Sequence, residues 1–285
     1  WKVYPYAMRA NPQSNTLKNL TDWTVNTIHA NNFRFYEELN EVIQREPSEM
    51  FSPELLGMAS AIGIQKGKPF APDAEQKALL TESVAIGNAT ARSILFAPQD
   101  RKAYIYPSKA GYWQTGFPGG NHEYLVDGGN GGRDMDGRTL FFYLATVNTP
   151  AMVLELPGVG SQYTFSSRDS SGAYLDGSKT YKVNIPANPP AQRFWSFVVY
   201  DPQTRSMLQS KEMPYPSKNN KRNPEMAKNA DGSIDLYFGP EAPAGQEANW
   251  VKTVPGKGWF GIFRLYGPGQ EWFDRSWKLG AIEQL

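Results

Sequence analysis

The stretch RFWSFVVYDPQTRSML, Arg193 to Leu208, decides how the chain is read. Aromatic and β-branched residues dominate its first half, as a strand requires. In an extended chain successive side chains alternate between faces. Phe194, Ser196, Val198 and Tyr200 then share one face, and Trp195, Phe197, Val199 and Asp201 the other. Both faces are largely apolar, which predicts a central strand covered on both sides. Asp201-Pro202-Gln203-Thr204 reads as the turn that ends it, with Pro202 fixing φ at the second position. A second strand over Ser206–Gln209 follows, and Arg205 stands where it begins.

The same pattern spreads outward from this segment. Gln162–Ser166, Lys179–Ile185, Ser233–Phe238 and Trp259–Tyr266 are further predicted strands. Ser171-Gly172, Asp176-Gly177, Asp231-Gly232 and Gly256-Lys257-Gly258 supply turn signals between them. Several short strands at such spacing predict an antiparallel jelly-roll-like β-sandwich or barrel over residues 151–285.

Residues 1–150 read differently and are mainly helical, apart from an irregular opening to about residue 30. A first helix is predicted from Asn31 or Asn32 to Pro47, with Phe35, Leu39, Val42 and Ile43 on one face. Ser52-Pro53 starts a second, as an N-cap followed by proline at the first helical position. Asp73 caps the longest, whose apolar stripe is Leu79, Leu80, Val84, Ala91, Ile94 and Leu95. KAYIYP and GYWQTGF look like strands. RTLFFYLATVNTPAMVLEL fits a buried helix or strands, with helix favoured up to Val147. The whole is therefore expected to be α+β.

Composition narrows the function classes. The 29 Lys+Arg and 28 Asp+Glu give a net charge of +1, and no clustered basic face suggests a nucleic-acid partner. With no cysteine, disulfides, thiolate nucleophiles and Cys-ligated metals are excluded. No stretch approaches the roughly 20 apolar residues of a membrane span.

Several long strings resemble a known family. GVGSQY (158–163), LDGSKTYKVNIPANPPAQRFWSFVVYDPQTRSML (175–208), NADGSIDLYFGPEAPAGQEANW (229–250), TVPGKGWFGIFRLYGP (253–268) and WFDRSWKLGAIE (272–283) resemble the domain of unknown function twelve-fourteen. NTIHANNFRFYEELNEVIQREP, PELLGMASAIGIQKGKPFAPDA and AIGNATAR resemble the region joining it to its usual partner, the domain of unknown function twelve-fifty-four. The resemblance implies jelly-roll-like β units with helices packed between them, and no established activity. It implies that WKVYPYAMRANP is the end of a preceding β domain, so the chain is expected to be the C-terminal portion of a longer protein. A companion N-terminal polypeptide is the corresponding partner. Family members often carry export signals, which favours a periplasmic or secreted location over the cytoplasm. In VDGGNGGRDMDGRTLFFY, Asp136 and Arg138 match the family's Leu-Asp-Ala-Arg pattern, but Gly137 replaces its alanine.

The candidate site residues follow from the β half. Trp195, Trp250, Trp259, Tyr200 and Tyr266 would form an aromatic platform if one sheet face lined a cleft. Arg205, Lys257 and Arg264 would supply charge for an anionic or hydroxylated ligand, with Asp201 at the polar lip. Arg264, inside GIFRLYG, needs a partner if buried, and Asp201, Asp235 and Glu155 are the candidates. The loop DGGNGGRDMDG offers Asp134 and Asp136 as weak ligands for a hard cation, without the spacing of a calcium-binding loop. His29 and His122 lie in separate segments, and no Gly-x-Ser-x-Gly elbow surrounds a serine. No cofactor is implied. Three classes remain: a β module binding a small or carbohydrate-like molecule, a hydrolase whose site faces a preceding β domain, and a structural protein that builds a homo-oligomer.

Overall fold

The computed structural model describes residues 9–11, 28–106, 110–145 and 147–285. Three helices open them: α1 (Arg34–Arg45), α2 (Pro53–Ala61) and α3 (Ala74–Phe96). The starts of α2 and α3 follow the capping rules, whereas α1 begins after Phe33, which provides no side-chain cap, and not directly after an asparagine cap as expected. The Ser52 hydroxyl accepts from the Leu55 amide, and the Asp73 carboxylate accepts from the Gln76 amide. α4 (Met135–Leu144) starts in the same way, with Asp134 accepting from the Gly137 amide at 2.7 Å. The short α5 (Pro150–Val153) leads into the sheets.

Eight strands follow: β1 (Ser161–Ser166), β2 (Tyr181–Ile185), β3 (Ala191–Tyr200), β4 (Ser217–Asn219), β5 (Ile234–Gly239), β6 (Trp250–Lys252), β7 (Phe260–Pro268) and β8 (Ile282–Gln284). A short helix, α6 (Gln270–Phe273), separates the last two. The strands form two four-stranded sheets, ordered β1-β7-β3-β4 and β6-β5-β2-β8. The fold is α+β, and among the described residues the sheets do not close into a barrel.

The main core lies between the sheets. Trp195, Phe197 and Val199 of β3, with Phe263 and Leu265 of β7, meet Tyr181, Val183 and Ile185 of β2 and Leu236 and Phe238 of β5. The other face of the first sheet is covered by helices: Leu95 and Phe96 of α3 and Leu140 and Tyr143 of α4 pack on Phe165 and Phe260. β3 is thus central and covered on both sides, as its sequence requires. A smaller helical cluster of Tyr36, Ile43, Ile64, Leu80 and Val84 sits apart.

Several expectations need correction. In α1 the buried residues are Tyr36 and Ile43, whereas Phe35 and Val42 are exposed. Leu79 of α3 is exposed too. KAYIYP and GYWQTGF contribute isolated bridges, Tyr104 to Gln114 and Gln114 to Phe165, because a left-handed backbone at Gly111 and Tyr112 turns the chain before a ladder forms. α4 ends at Leu144 rather than Val147. Not every pair is antiparallel: β6 runs parallel to β5, carried round by the connection 240–249. The expected strand Ser206–Gln209 is a single bridge, Tyr200 to Met207. The turn before it is one residue longer than expected, since the Arg205 amide donates to the Asp201 carbonyl at 2.8 Å. Asp201 also accepts the Gln203 amide, and Arg205 closes the loop with φ of 57°. The irregular opening segment expected up to about residue 30 falls mostly on residues 1–8 and 12–27, which lie outside the described residues.

Candidate functional site

The helix-covered face of the first sheet is not filled completely. A cavity of about 270 Å³ lies between that face, α4 and the segment Thr115–Phe117. Strand register explains its floor. Tyr163 of β1 stands opposite Arg264 of β7, and Phe165 opposite Ile262. Alternate residues of β7 point to this face, so Ile262 and Arg264 enter it while Phe263 and Leu265 enter the core. Tyr200, at the end of β3, completes the floor, and Phe141 and Leu144 of α4 form the roof.

Arg264 is the central charge. Its guanidinium donates to the Tyr200 hydroxyl and lies 5.6 Å from the Tyr163 ring centroid and 5.8 Å from that of Tyr200. Its Nε is buried and has no hydrogen-bond partner. None of the expected acids reaches it. Asp201 pairs with Lys257 at 2.9 Å, Asp235 accepts from the Asn184 side chain at 2.7 Å, and Glu155 is exposed. Burial pushes the Tyr200 hydroxyl above its usual range, and the Arg264 charge only partly offsets this. Tyr200 therefore stays neutral and keeps a proton to donate.

Arg205 lines the same cavity. It too lacks a carboxylate. Its Nε and one terminal nitrogen donate to the Tyr143 carbonyl at 3.1 Å and hydroxyl at 3.2 Å, and the guanidinium lies 4.1 Å from the Tyr143 ring centroid. The Gln203 carbonyl accepts at 2.6 Å, and Nδ1 of His29 lies at 3.5 Å. Arg205 also borders a second cavity of about 420 Å³ between α1 and α3, beside His29, Phe35 and Tyr36. Its left-handed backbone is unusual for a residue with a Cβ and costs about 1–3 kcal/mol. With this backbone the side chain lies against Tyr143.

The other predicted residues lie elsewhere. Trp195 and Trp259 are buried in the inter-sheet core, 2% and 1% exposed. Trp250 is on the opposite sheet, where its indole donates to the Gly239 carbonyl. Tyr266 stacks on Phe194 with ring centroids 4.0 Å apart. The five aromatics thus do not gather on one surface; only Tyr200 enters the cavity with Arg205 and Arg264. Lys257 is half-exposed and holds the buried Asp201. Asp134 is occupied in capping α4, and among the described residues no group of three His, Cys, Asp or Glu is placed to hold a metal ion. Sequence reasoning missed Tyr163 and Tyr143. The signal for Tyr163 was its place in GVGSQYTFS, two residues before Phe165 on the same strand face. The Tyr143 contact crosses from α4 to the Asp201–Arg205 turn, which no local pattern reveals.

Residues 160–270 match a family model described as "Protein of unknown function (DUF1214)". The matched residues lie in the C-terminal part of the chain. The match includes β1, β3, β7, Arg205 and Arg264, and stops short of α4 on one side and β8 on the other. No curated protein matches the chain. Among solved structures, a Vibrio parahaemolyticus protein is similar at 20% identity, over 96% of this chain and 58% of that one, with a TM-score of 0.42. An uncharacterized Burkholderia cenocepacia protein is similar at 15% identity, over 81% of this chain and 48% of that one, with a TM-score of 0.35. The chain spans about half the length of those two structures.

Proposed function

We propose that the β domain and α4 together bind a small anionic molecule with an apolar body. The observation that carries this reading is the pair Arg264 and Arg205. Both border one cavity, neither meets a carboxylate among the described residues, and the Arg264 Nε is buried without a partner. A guanidinium offers a planar fork of donors suited to carboxylate or phosphate. Apolar walls with a few convergent polar groups are the usual composition of a small-molecule site. In this reading Arg264 takes the anion, Tyr200 donates a further hydrogen bond, and Arg205 sets the charge at the far wall. Phe141, Leu144 and Ile262 hold the apolar body.

Calorimetry with octanoate, octanol and octylamine tests it, because the tail is constant and only the head changes. Octanoate is expected to bind at least about tenfold more tightly than either other compound, a typical margin for one charge-assisted contact. Arg264→Met should remove that preference. Equal binding of octanoate and octanol, or unchanged octanoate binding by Arg264→Met, would overturn the reading.

Finer aspects rest on the family resemblance alone. We take the sandwich as the jelly-roll-like unit of that family, with residues 151–285 as the domain and 1–150 as a helical linking region, in an exported protein. The hydrolase alternative would need a nucleophile and a base, and neither His29 nor His122 hydrogen-bonds a serine hydroxyl among the described residues. The homo-oligomer alternative would use exposed apolar side chains such as Phe142 and Tyr215.

A further inference from the structure

A third cavity, also of about 420 Å³, lies between the C-terminal half of α3 and the segment that joins β1 to β2. Ala89, Arg92 and Phe96 line it from the helix, Ser167 and Leu175 from the segment, and Trp259 from the residue before β7. It shares no lining residue with the cavity around Arg264.

Two buried polar atoms distinguish it. The Ser167 Oγ and the Trp259 Nε1 have no hydrogen-bond partner, and their residues are 4% and 1% exposed. Unpaired buried donors are rare and call for an explanation. The contrast within this chain is sharp. The indole N–H groups of Trp113, Trp250 and Trp277 each donate to a backbone carbonyl. The backbone joins the two unpartnered groups: the Leu175 amide donates to the Ser167 carbonyl, and the Trp259 amide donates to the Leu175 carbonyl. The charge in the cavity is Arg92, whose guanidinium donates to the Pro202 carbonyl and the Gln203 side-chain oxygen, both neutral.

An indole N–H only donates, and a hydroxyl can donate alongside it. Both then suit one oxygen acceptor, and the uncompensated Arg92 favours a negative one. Phe96, Leu175 and Pro202 supply apolar walls. We propose that this cavity is a separate binding site for a compact ring carboxylate. The carboxylate accepts from Trp259 Nε1 and Ser167 Oγ, with Arg92 supplying charge, and the ring packs on Phe96 and Leu175.

The Trp259 indole N–H gives a direct readout. Its ¹H–¹⁵N cross-peak is assigned by its loss in Trp259→Phe, which keeps an aromatic ring in the core. Benzoate titrated into the intact chain should move this peak saturably, and neutral benzamide should bind about tenfold more weakly. Arg92→Gln should weaken benzoate by a similar factor and leave benzamide unchanged. Ala89→Phe, at an exposed helical position, should fill the cavity and abolish the response. Arg264→Met should leave the titration unaltered, so this site can stand or fall apart from the first. An unmoved peak, equal binding of benzoate and benzamide, or an undiminished response in Ala89→Phe would each overturn the proposal. So would a benzoate-soaked crystal with only water between Ser167 Oγ and Trp259 Nε1.

Discussion

The two faces of the β1-β7-β3-β4 sheet are made by alternate residues of the same strands, yet they are built on different terms. On the inner face Phe197, Phe263 and Leu265 are fully buried in the inter-sheet hydrophobic core. On the outer face Tyr200, Ile262 and Arg264 stand beside a cavity, and a guanidinium nitrogen is left without a partner. The inner face is packed for stability. The outer face gives up packing and keeps charge, as binding sites do when stability and function compete.

The largest expected effect comes from the inner face. The Phe197 ring has centroids of Phe238 at 4.7 Å, Trp113 at 6.1 Å and Phe263 at 6.4 Å around it. Phe197→Ala should lower unfolding free energy by about 3–5 kcal/mol, read from urea denaturation. A loss near 1 kcal/mol would mean that this face relaxes, and the contrast between faces would fail. Gly261 sharpens the point. A Cβ there would lie 2.4 Å from the Phe197 ring, so glycine lets the ring cross the neighbouring strand. Gly261→Ala should cost about 1–3 kcal/mol by overpacking. Combined with Phe197→Leu, it should cost less than the sum of the two single changes, because the smaller side chain vacates the contact.

How much of this was legible in the sequence depends on how local the determinant is. The inner face was, because alternation in RFWSFVVY and in GIFRLYG fixes which residues share a side. The helix starts at Ser52 and Asp73 were also legible, since one side chain and one amide decide each. The buried face of α1 was not. Phe35, Leu39 and Val42 fit helical spacing as well as Tyr36, Leu39 and Ile43 do, and only the position of α3 selects the second set. Strands β4, β6 and β8 are too short to show a period, and exist because a neighbouring strand offers free edge groups. For the cavity, Arg264 and Arg205 stood out as charges among apolar residues. Their true neighbours did not, because the register that brings Tyr163 to Arg264 and the docking that brings Tyr143 to Arg205 are tertiary facts.

On the outer face, Arg264→Met should behave in the opposite way to Phe197→Ala. It removes a buried Nε–H that has no partner, together with one hydrogen bond to the Tyr200 hydroxyl, so the gain and the loss nearly offset. The urea midpoint should change by less than the equivalent of about 1 kcal/mol in either direction. A loss of several kcal/mol would show that Arg264 is structural, and would remove the distinction between the faces.

The smallest effect belongs to His29, at the edge of this face beside Arg205. Burial lowers its pKa from the ordinary 6.5, the Arg205 charge lowers it further, and Glu38 opposes both. The folded chain therefore binds the His29 proton less readily than the unfolded chain does. The unfolded state takes up more protons in that window, so stability rises with pH there. It should fall as pH drops below about 6.5, and level off once the folded state is protonated as well. The ring is largely exposed and solvent screens the charge, so the slope should be shallow. Urea midpoints at intervals from pH 5 to pH 8 would show it, and His29→Asn should flatten this segment of the curve. If stability instead rises on acidification, His29 gains an anionic partner in the folded state, and the picture of an outer face holding uncompensated positive charge would have to change.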